Sequence, residues 1–328
     1  MPPKLRPPHA DPPPAPGSGE DAHVERIRLA FAERFGPPPA GEIWIGDDAA
    51  VVAGTVGPMV LAVDAAVAGV HADLELVSVA DLGWKAVAAA VSDIGAMGAR
   101  PLHALVTLCV PPGTDVDLLN AGIVEAAGEW ACPVVGGDLS AAVQLMVSVA
   151  VVGTLGDGER PAVTRSGASP GDRLLLTGPL GASAAGLRLL GAGASGLDPA
   201  ADRLVRAHRR PRARVAEGRA AREGGATAMI DVSDGLALDL HRLALASGVG
   251  VDLRDVPVAP GATELEALGG GEDYELIIAV ADESRVLEAF EQAGLGPPVV
   301  IGECTDDPAQ RELRGAHLPD VGWRHRLD

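Results

Sequence analysis

Lysine is nearly missing from this chain. It occurs only at Lys4 and Lys85, so a phosphate clamp built on lysine has almost no candidates, and basic contacts to phosphate fall to arginine. Basic residues as a whole are outnumbered. Against 45 Asp and Glu stand 26 Lys and Arg in 328 residues, a formal net charge of −19 with a pI near 4.7. A field of that sign repels nucleic acid and anionic lipid, so neither is expected as a partner. Cysteine is scarce as well. Cys109, Cys132 and Cys304 lie far apart and form no CxxC pair, which argues against a zinc site and a disulfide framework and fits a reducing cytosol. Long apolar runs are absent: the most apolar stretch, 143–152, is interrupted by Gln144 and Ser148 and is too short to span a bilayer. The first 20 residues hold eight of the 27 prolines in place of a secretory apolar core, and read as a disordered tail. A Walker A loop is missing, and so is a GxGxxG opening a βαβ unit. The expectation is a cytoplasmic protein that spans no membrane.

The length suggests two domains. Beyond the tail, Val24, Ile27, Phe31 and Phe35 share one helical face, and Gly36-Pro37 ends that helix. Short β-like runs follow at 43–45, 49–52 and 59–63. A long helix is predicted over 78–97 with Ser78 as its N-cap, then a strand at 104–110, a helix at 116–130 and strands at 134–135 and 145–155. In the second half the pattern predicts strands at 174–177, 228–230, 275–280 and 299–301, and helices at 182–190, 212–222, 236–245 and 283–293. Mixed strands and helices in two halves indicate α/β or α+β domains, 21–155 and 156–328, joined where Gly, Asp and Pro accumulate.

The aspartates are informative by position. Gly46-Asp47-Asp48, Asp64, Gly136-Gly137-Asp138, Asp231-Val232-Ser233-Asp234-Gly235 and Gly271-Glu272-Asp273 all adjoin apolar segments. An Asp after a strand is ordinarily a turn or helix cap. Asp93 is harder to read that way, because a lone carboxylate among Ala, Val, Ile and Met is costly unless paired or metal-bound. Together these placements favour divalent cations with hard oxygen ligands such as Mg²⁺, which would let an acidic protein hold an anionic phosphate.

In order and wording these motifs resemble those of the thiamine-monophosphate kinases, in the superfamily of aminoimidazole ribonucleotide synthetase. The match runs from about residue 20 to Trp323. It is carried by Ile45-Gly46-Asp47-Asp48-Ala49, Asp64 with Gly69-Val70-His71, Trp84-Lys85-Ala86 leading to Ser92-Asp93-Ile94-Gly95-Ala96-Met97-Gly98-Ala99, Gly136-Gly137-Asp138, Thr164-Arg165-Ser166-Gly167-Ala168, Asp231-Val232-Ser233-Asp234-Gly235, Gly271-Glu272-Asp273-Tyr274-Glu275-Leu276 and Gly322-Trp323. The resemblance implies a two-domain α/β fold, a homodimer formed through the N-terminal strands, and direct transfer of the ATP γ-phosphoryl group to thiamine monophosphate. It also implies several Mg²⁺ ions on Asp48, Asp64, Asp93, Asp138, Asp231 and Asp234, with backbone carbonyls of Ala62 and Val63 beside Asp64. Asp231 and Asp234 would be central to catalysis. Gly137, Asp138, Arg165 and Ser233 would meet ATP, and His71, Glu272 and Trp323 the acceptor. The runs at 59–63 and 104–110 are apolar on both faces, as if covered on both sides.

The chain departs from the family pattern where Ala62-Val63 replaces Ser-Thr, Ala90 replaces Asn, and Leu139-Ser140 follows Gly-Gly-Asp. The carboxylates persist while hydroxyls and an amide are lost. A selenophosphate synthetase-like enzyme is expected to carry a reactive Cys or selenocysteine and a Lys near its start, where this tail has only Lys4 and no cysteine, and a hydrogenase-maturation dehydratase ends in a cysteine-bearing tail, where this chain ends His325-Arg326-Leu327-Asp328. A non-catalytic acidic metal-binding protein leaves Arg165 and Trp323 without a use.

Overall fold

The computed structural model describes residues 20–47, 49–156, 160–194 and 198–325. The first half contains α1 (Glu20–Phe35), β1 (Met59–Val67), α2 (Val79–Ala96), β2 (Arg100–Val110), α3 (Val116–Glu129), β3 (Val134–Ala141) and β4 (Met146–Thr154). Its four strands pair in the order β1-β4-β2-β3, antiparallel except for β2 with β3. The second half contains β5 (Arg173–Leu176), α4 (Ala182–Gly191), α5 (Pro199–Arg209), α6 (Val215–Gly224), β6 (Ala228–Asp231), α7 (Leu236–Ser247), β7 (Gly250–Leu253), α8 (Glu264–Gly269), β8 (Leu276–Val280), α9 (Glu283–Gln292), β9 (Val299–Thr305), β10 (Arg311–Leu313) and β11 (Ala316–His317). These strands form one seven-stranded mixed sheet, β11-β10-β7-β9-β5-β8-β6. The architecture is the α/β (α+β) class expected, with a β-sheet in each half.

Helix α2 joins the halves. Ser78 caps it and Asp81 returns a bond to the Ser78 N–H, a capping box. Most of its residues are buried, including Leu82, Val87, Val91 and Ile94. A helix buried on nearly every side belongs between layers, and α2 packs on β1 and β4 on one side and on α6 and β6 on the other. Glycine lets α3 lie close against it, since a Cβ at Gly122 would stand 1.9 Å from the Ala80 carbonyl oxygen.

Several expectations are corrected here. The runs at 43–45 and 49–52 form only isolated bridges, Ile43 with Val51 and Ile45 with Asp47, because no third segment continues a ladder beside them. Asp64 does not end β1 but pairs with Val149 in mid-strand, and Gly137 and Asp138 lie inside β3 rather than after it. Within this one chain the N-terminal strands are covered on one face only, which leaves the expected second cover to another copy. In β1 burial alternates, and Met59, Leu61 and Val63 are 59%, 69% and 69% exposed. The inner face packs on α2, and the outer, bearing also Leu105, is open. Helix α6 begins at Val215, three residues later than predicted, because Pro211 and the extended residues after it precede it. The proline tail (residues 1–19) and Asp48 lie outside the described residues.

Candidate active site

Helix α2 brings three polar side chains to the seam between the halves. Lys85, Ser92 and Asp93 recur at seven- and eight-residue spacing, which puts them on one helical face. That face meets β6 and the loop after it. Buried Ser92 donates to the Asp231 carboxylate at 2.6 Å, so the end of β6 is positioned from α2.

Around this seam lies a cavity of about 510 Å³. Eight of the residues singled out in the sequence line it: Asp64, His71, Asp93, Asp231, Ser233, Asp234, Glu272 and Trp323. A second cavity of about 470 Å³ is lined by Ala62, Thr164, Arg165 and Ser166. Asp93 and Asp231 line both. The two carboxylates therefore stand where an anionic group in one cavity would meet an anionic group in the other.

Burial makes these carboxylates reluctant to ionise. Asp93 is pushed up to about 7, first by desolvation and then by the charges of Asp231 and Asp64. Desolvation also raises Asp64 and Asp231. Neither Asp64 nor Asp93 has a basic side chain bonded to it among the described residues. Such a donor set, hard oxygens crowded together and short of counter-charge, suits a divalent cation. No three His, Cys, Asp or Glu among the described residues are gathered closely enough to hold one ion by themselves.

Asp234 differs, being paired with Arg242 at 2.5 Å. The same guanidinium binds fully buried Asp239, whose other oxygen accepts the backbone N–H groups of Ser233 and Asp234 at 3.0 and 2.8 Å. This fixes the 231–235 turn. His71 accepts the Val67 N–H on Nδ1 at 3.0 Å, which requires a lone pair there and leaves Nε2 as the protonated nitrogen. Its pKa is lowered, chiefly by burial and then by His325, so the ring is a neutral donor. The Trp323 ring is 49% exposed at the cavity wall, edge-on to His325, which in turn stands edge-on to His71.

Gly137 and Asp138 are not brought to these cavities. Glycine is required at 137, since a Cβ would stand 1.8 Å from the Val106 carbonyl oxygen on the adjacent strand. The residue rows across the sheet run Asp64, Val149, Val106, Gly137 and then Ala65, Ser148, Thr107, Asp138. Asp138 thus stands on the outer face and Asp64 on the inner one, about 14 Å apart at three strand spacings. Asp138 is exposed and accepts from Ser140 at 2.9 Å. The Val63 side chain is also on the outer face, whereas Ala62 lines the second cavity.

Residues assigned no role in the sequence also shape the site. Lys85 is only 2% exposed and ion-paired with Glu272 at 2.7 Å. Buried His208, held neutral with its pKa pushed down to about 3 by burial and by Lys85 and Arg209, bonds Ser183. Asp273 accepts the N–H groups of Gly181 and Ser183 at the start of α4. Arg214 grips Glu275 with two nitrogens. The signal that could have found Lys85 is a lysine, one of two in the chain, inside an alanine-rich apolar helix.

Two sheets joined by a buried helix, with a carboxylate-lined cleft at the seam, define the AIR synthase related class. The family models for the AIR synthase related N-terminal and C-terminal domains match residues 46–155 and 169–313. The thiamine-monophosphate kinase of Mycobacterium tuberculosis is 40% identical over 290 residues, 85% of this chain and 84% of that protein. That of Corynebacterium glutamicum is 37% identical over 280 residues, 80% and 82% of the two. Among solved structures, AaThiL complexed with AMPPCP and TMP superposes with a TM-score of 0.71 at 31% identity, covering 82% of this chain and 87% of that one. The chain belongs to the thiamine-monophosphate kinases of the AIR synthase related family.

Proposed function

We propose that the protein is an ATP-dependent thiamine-phosphate kinase, transferring the γ-phosphoryl group of ATP to the phosphate of thiamine monophosphate to give thiamine diphosphate and ADP. The observation that carries this reading is the pair of cavities sharing Asp93 and Asp231, in a chain whose relatives are named for that activity. The cavity bearing His71, Glu272 and Trp323 takes the acceptor, and the one bearing Arg165 takes the nucleotide phosphates.

Transfer in line between two phosphates needs alignment and charge neutralisation more than covalent help. The acceptor phosphate oxygen is already anionic at neutral pH, so no general base is required. Arg165 offers a planar fork to phosphate oxygens, Ser233 a hydroxyl and His71 a neutral ring N–H. Trp323 stacks on the cationic or aromatic part of the acceptor, worth about 0.5–2 kcal/mol. Asp64, Asp93 and Asp231 would hold Mg²⁺, with Asp234 and Asp48 adding ligands as the family resemblance implies; Asp138, on the opposite face of the sheet, is not among them within one chain. Bound Mg²⁺ neutralises the phosphates and favours the ionised carboxylates.

The open outer face of the four-stranded sheet supports a homodimer, a second copy covering Leu61, Val63 and Leu105. Asp138 and Gly137 belong to the same sheet, and we assign their expected nucleotide role to such an interface. No helix among the described residues is long and apolar enough to cross a membrane, and the proposed site of action is the cytoplasm. Incubation of the protein with ATP, Mg²⁺ and thiamine monophosphate yields thiamine diphosphate, and free thiamine in its place yields none. Absence of product with thiamine monophosphate over a full Mg²⁺ titration refutes the reading.

A further inference from the structure

Among the described residues that line the cavity of about 510 Å³, Lys85 is the only lysine or arginine, and it comes from inside the apolar core of the first half. Its neighbours in α2 are Ala86, Val87 and Ala88, all at most 1% exposed. Lysine is almost never fully buried without a partner. Here the partner is Glu272, 187 residues away on the loop before β8, at 2.7 Å, and a second Nζ bond reaches the His208 carbonyl at 3.3 Å. As a purely structural element this pair is poorly motivated, because a buried ion pair is often replaced by apolar residues of similar volume with no loss of stability.

The receiving loop is held under strain. Glu272 has φ +64° and Tyr274 φ +52°, the left-handed region that side chains other than glycine rarely adopt. Backbone bonds from Glu272 N–H to the Ser233 carbonyl and from Tyr274 N–H to the Val232 carbonyl, 2.8 and 2.9 Å, keep it there. The Lys85 ammonium uses only Oε2 of Glu272. Among the described residues Oε1 has no bonded partner, and Glu272 lines the cavity.

We propose that Lys85 is a positioning residue for acceptor recognition: by holding Oε2 across the seam, it fixes Glu272 as a pre-oriented hydrogen-bond acceptor whose free Oε1 binds an N–H or cationic group of the acceptor molecule. This rests on the assignment of the acceptor to the Glu272 cavity. Lys85 does not touch the reacting phosphates; its effect passes through Glu272. Removing it frees the Glu272 side chain to turn, so acceptor binding weakens while nucleotide binding and the chemical step at saturation are spared.

The test is a double-mutant cycle of Lys85→Met and Glu272→Gln, read as KM for thiamine monophosphate, KM for ATP, kcat and melting temperature. Each single variant is expected to raise the acceptor KM by about tenfold or more, with the ATP KM within about twofold and kcat within about threefold. The double variant is expected to be no worse than the worse single, since both remove the same interaction. Lys85→Gln, smaller and polar, supplies the same comparison should the methionine variant fail to fold. A raised acceptor KM in Glu272→Gln with none in the Lys85 variants overturns the positioning role and leaves the Glu272 assignment standing, as does a double variant whose effects multiply. An unchanged acceptor KM in Glu272→Gln overturns that assignment and, with it, the role given to Lys85.

Discussion

Asp93 and Asp231 are both desolvated, and each feels the charge of other carboxylates. Without a cation they repel, so Asp231→Asn is expected to leave melting temperature unchanged or raise it, while kcat falls about 10²–10³-fold through lost charge stabilisation. Calorimetry and steady-state kinetics on the same preparation check both. Ala62 lines the second cavity together with Asp93 and Arg165, and Val63 is on the other face of the strand. A hydroxyl beside a bound cation strengthens its hold, and losing such a partner typically costs about 10–100-fold in metal affinity. Ala62→Ser is therefore expected to saturate at lower free Mg²⁺ than the natural chain, and Val63→Thr alone at the same concentration, in titrations at fixed MgATP. Trp323→Ala is expected to raise the acceptor KM far more than the ATP KM, because its half-exposed ring lines only the acceptor cavity. At this scale Asp93 was legible in the sequence, a carboxylate set among Ala, Val, Ile and Met. Lys85 and Asp239 were not assigned, because their partners are set by packing rather than by spacing.

Helix α2 shows how an element can serve two halves at once. Its own sequence announces it, from the Ser78 N-cap to the apolar stretch between Lys85 and Ser92. Close approach of α3 is written less plainly. Gly122→Ala would drive a methyl group into the Ala80 carbonyl, and overpacking of this kind costs about 1–3 kcal/mol. A fall in melting temperature with little change in either KM is expected, measured by thermal unfolding. Helix α5 escaped the hydrophobic pattern although Asp198 caps it and Pro199 fills its first turn, a standard start signal. Its arginine-rich continuation conceals the apolar face. That charge has a use: Arg210 bonds Asp81 and Glu125, and Arg212 bonds Glu129, on α2 and α3. Trp84 and Trp130 donate to the Pro211 and Ala213 carbonyls along the same segment, so an irregular stretch is tied down by side chains.

For the molecule as a whole, the outer face of the four-stranded sheet is the feature a single chain leaves unresolved. Exposed Leu61, Val63 and Leu105 form an apolar surface on one sheet, and surfaces of that kind mark association. Leu61→Glu with Leu105→Glu is expected to convert a dimer into a folded monomer by sedimentation, with activity reduced at least about tenfold if the Asp138 face serves the nucleotide. A wild-type monomer at micromolar concentration would refute the dimer.

Local chemistry determined a good deal from sequence alone. The scarcity of lysine left arginine and metal as the expected phosphate contacts, the apolar periods located most helices and strands, and several of the ordered acidic motifs marked residues that line the cleft. These are properties of short segments, and short segments carry them in full. Only the tertiary structure decided which carboxylates share a space. Asp64, Asp93, Asp231 and Asp234 converge across two sheets, whereas Asp138, equally prominent as a motif, stands on the opposite sheet face. A strand alternates its side chains between faces at every residue, and register sets which residues align across the sheet. That register arises from strands nearly a hundred residues apart, Met59 opposite Thr154 at its extreme, and no local pattern encodes it.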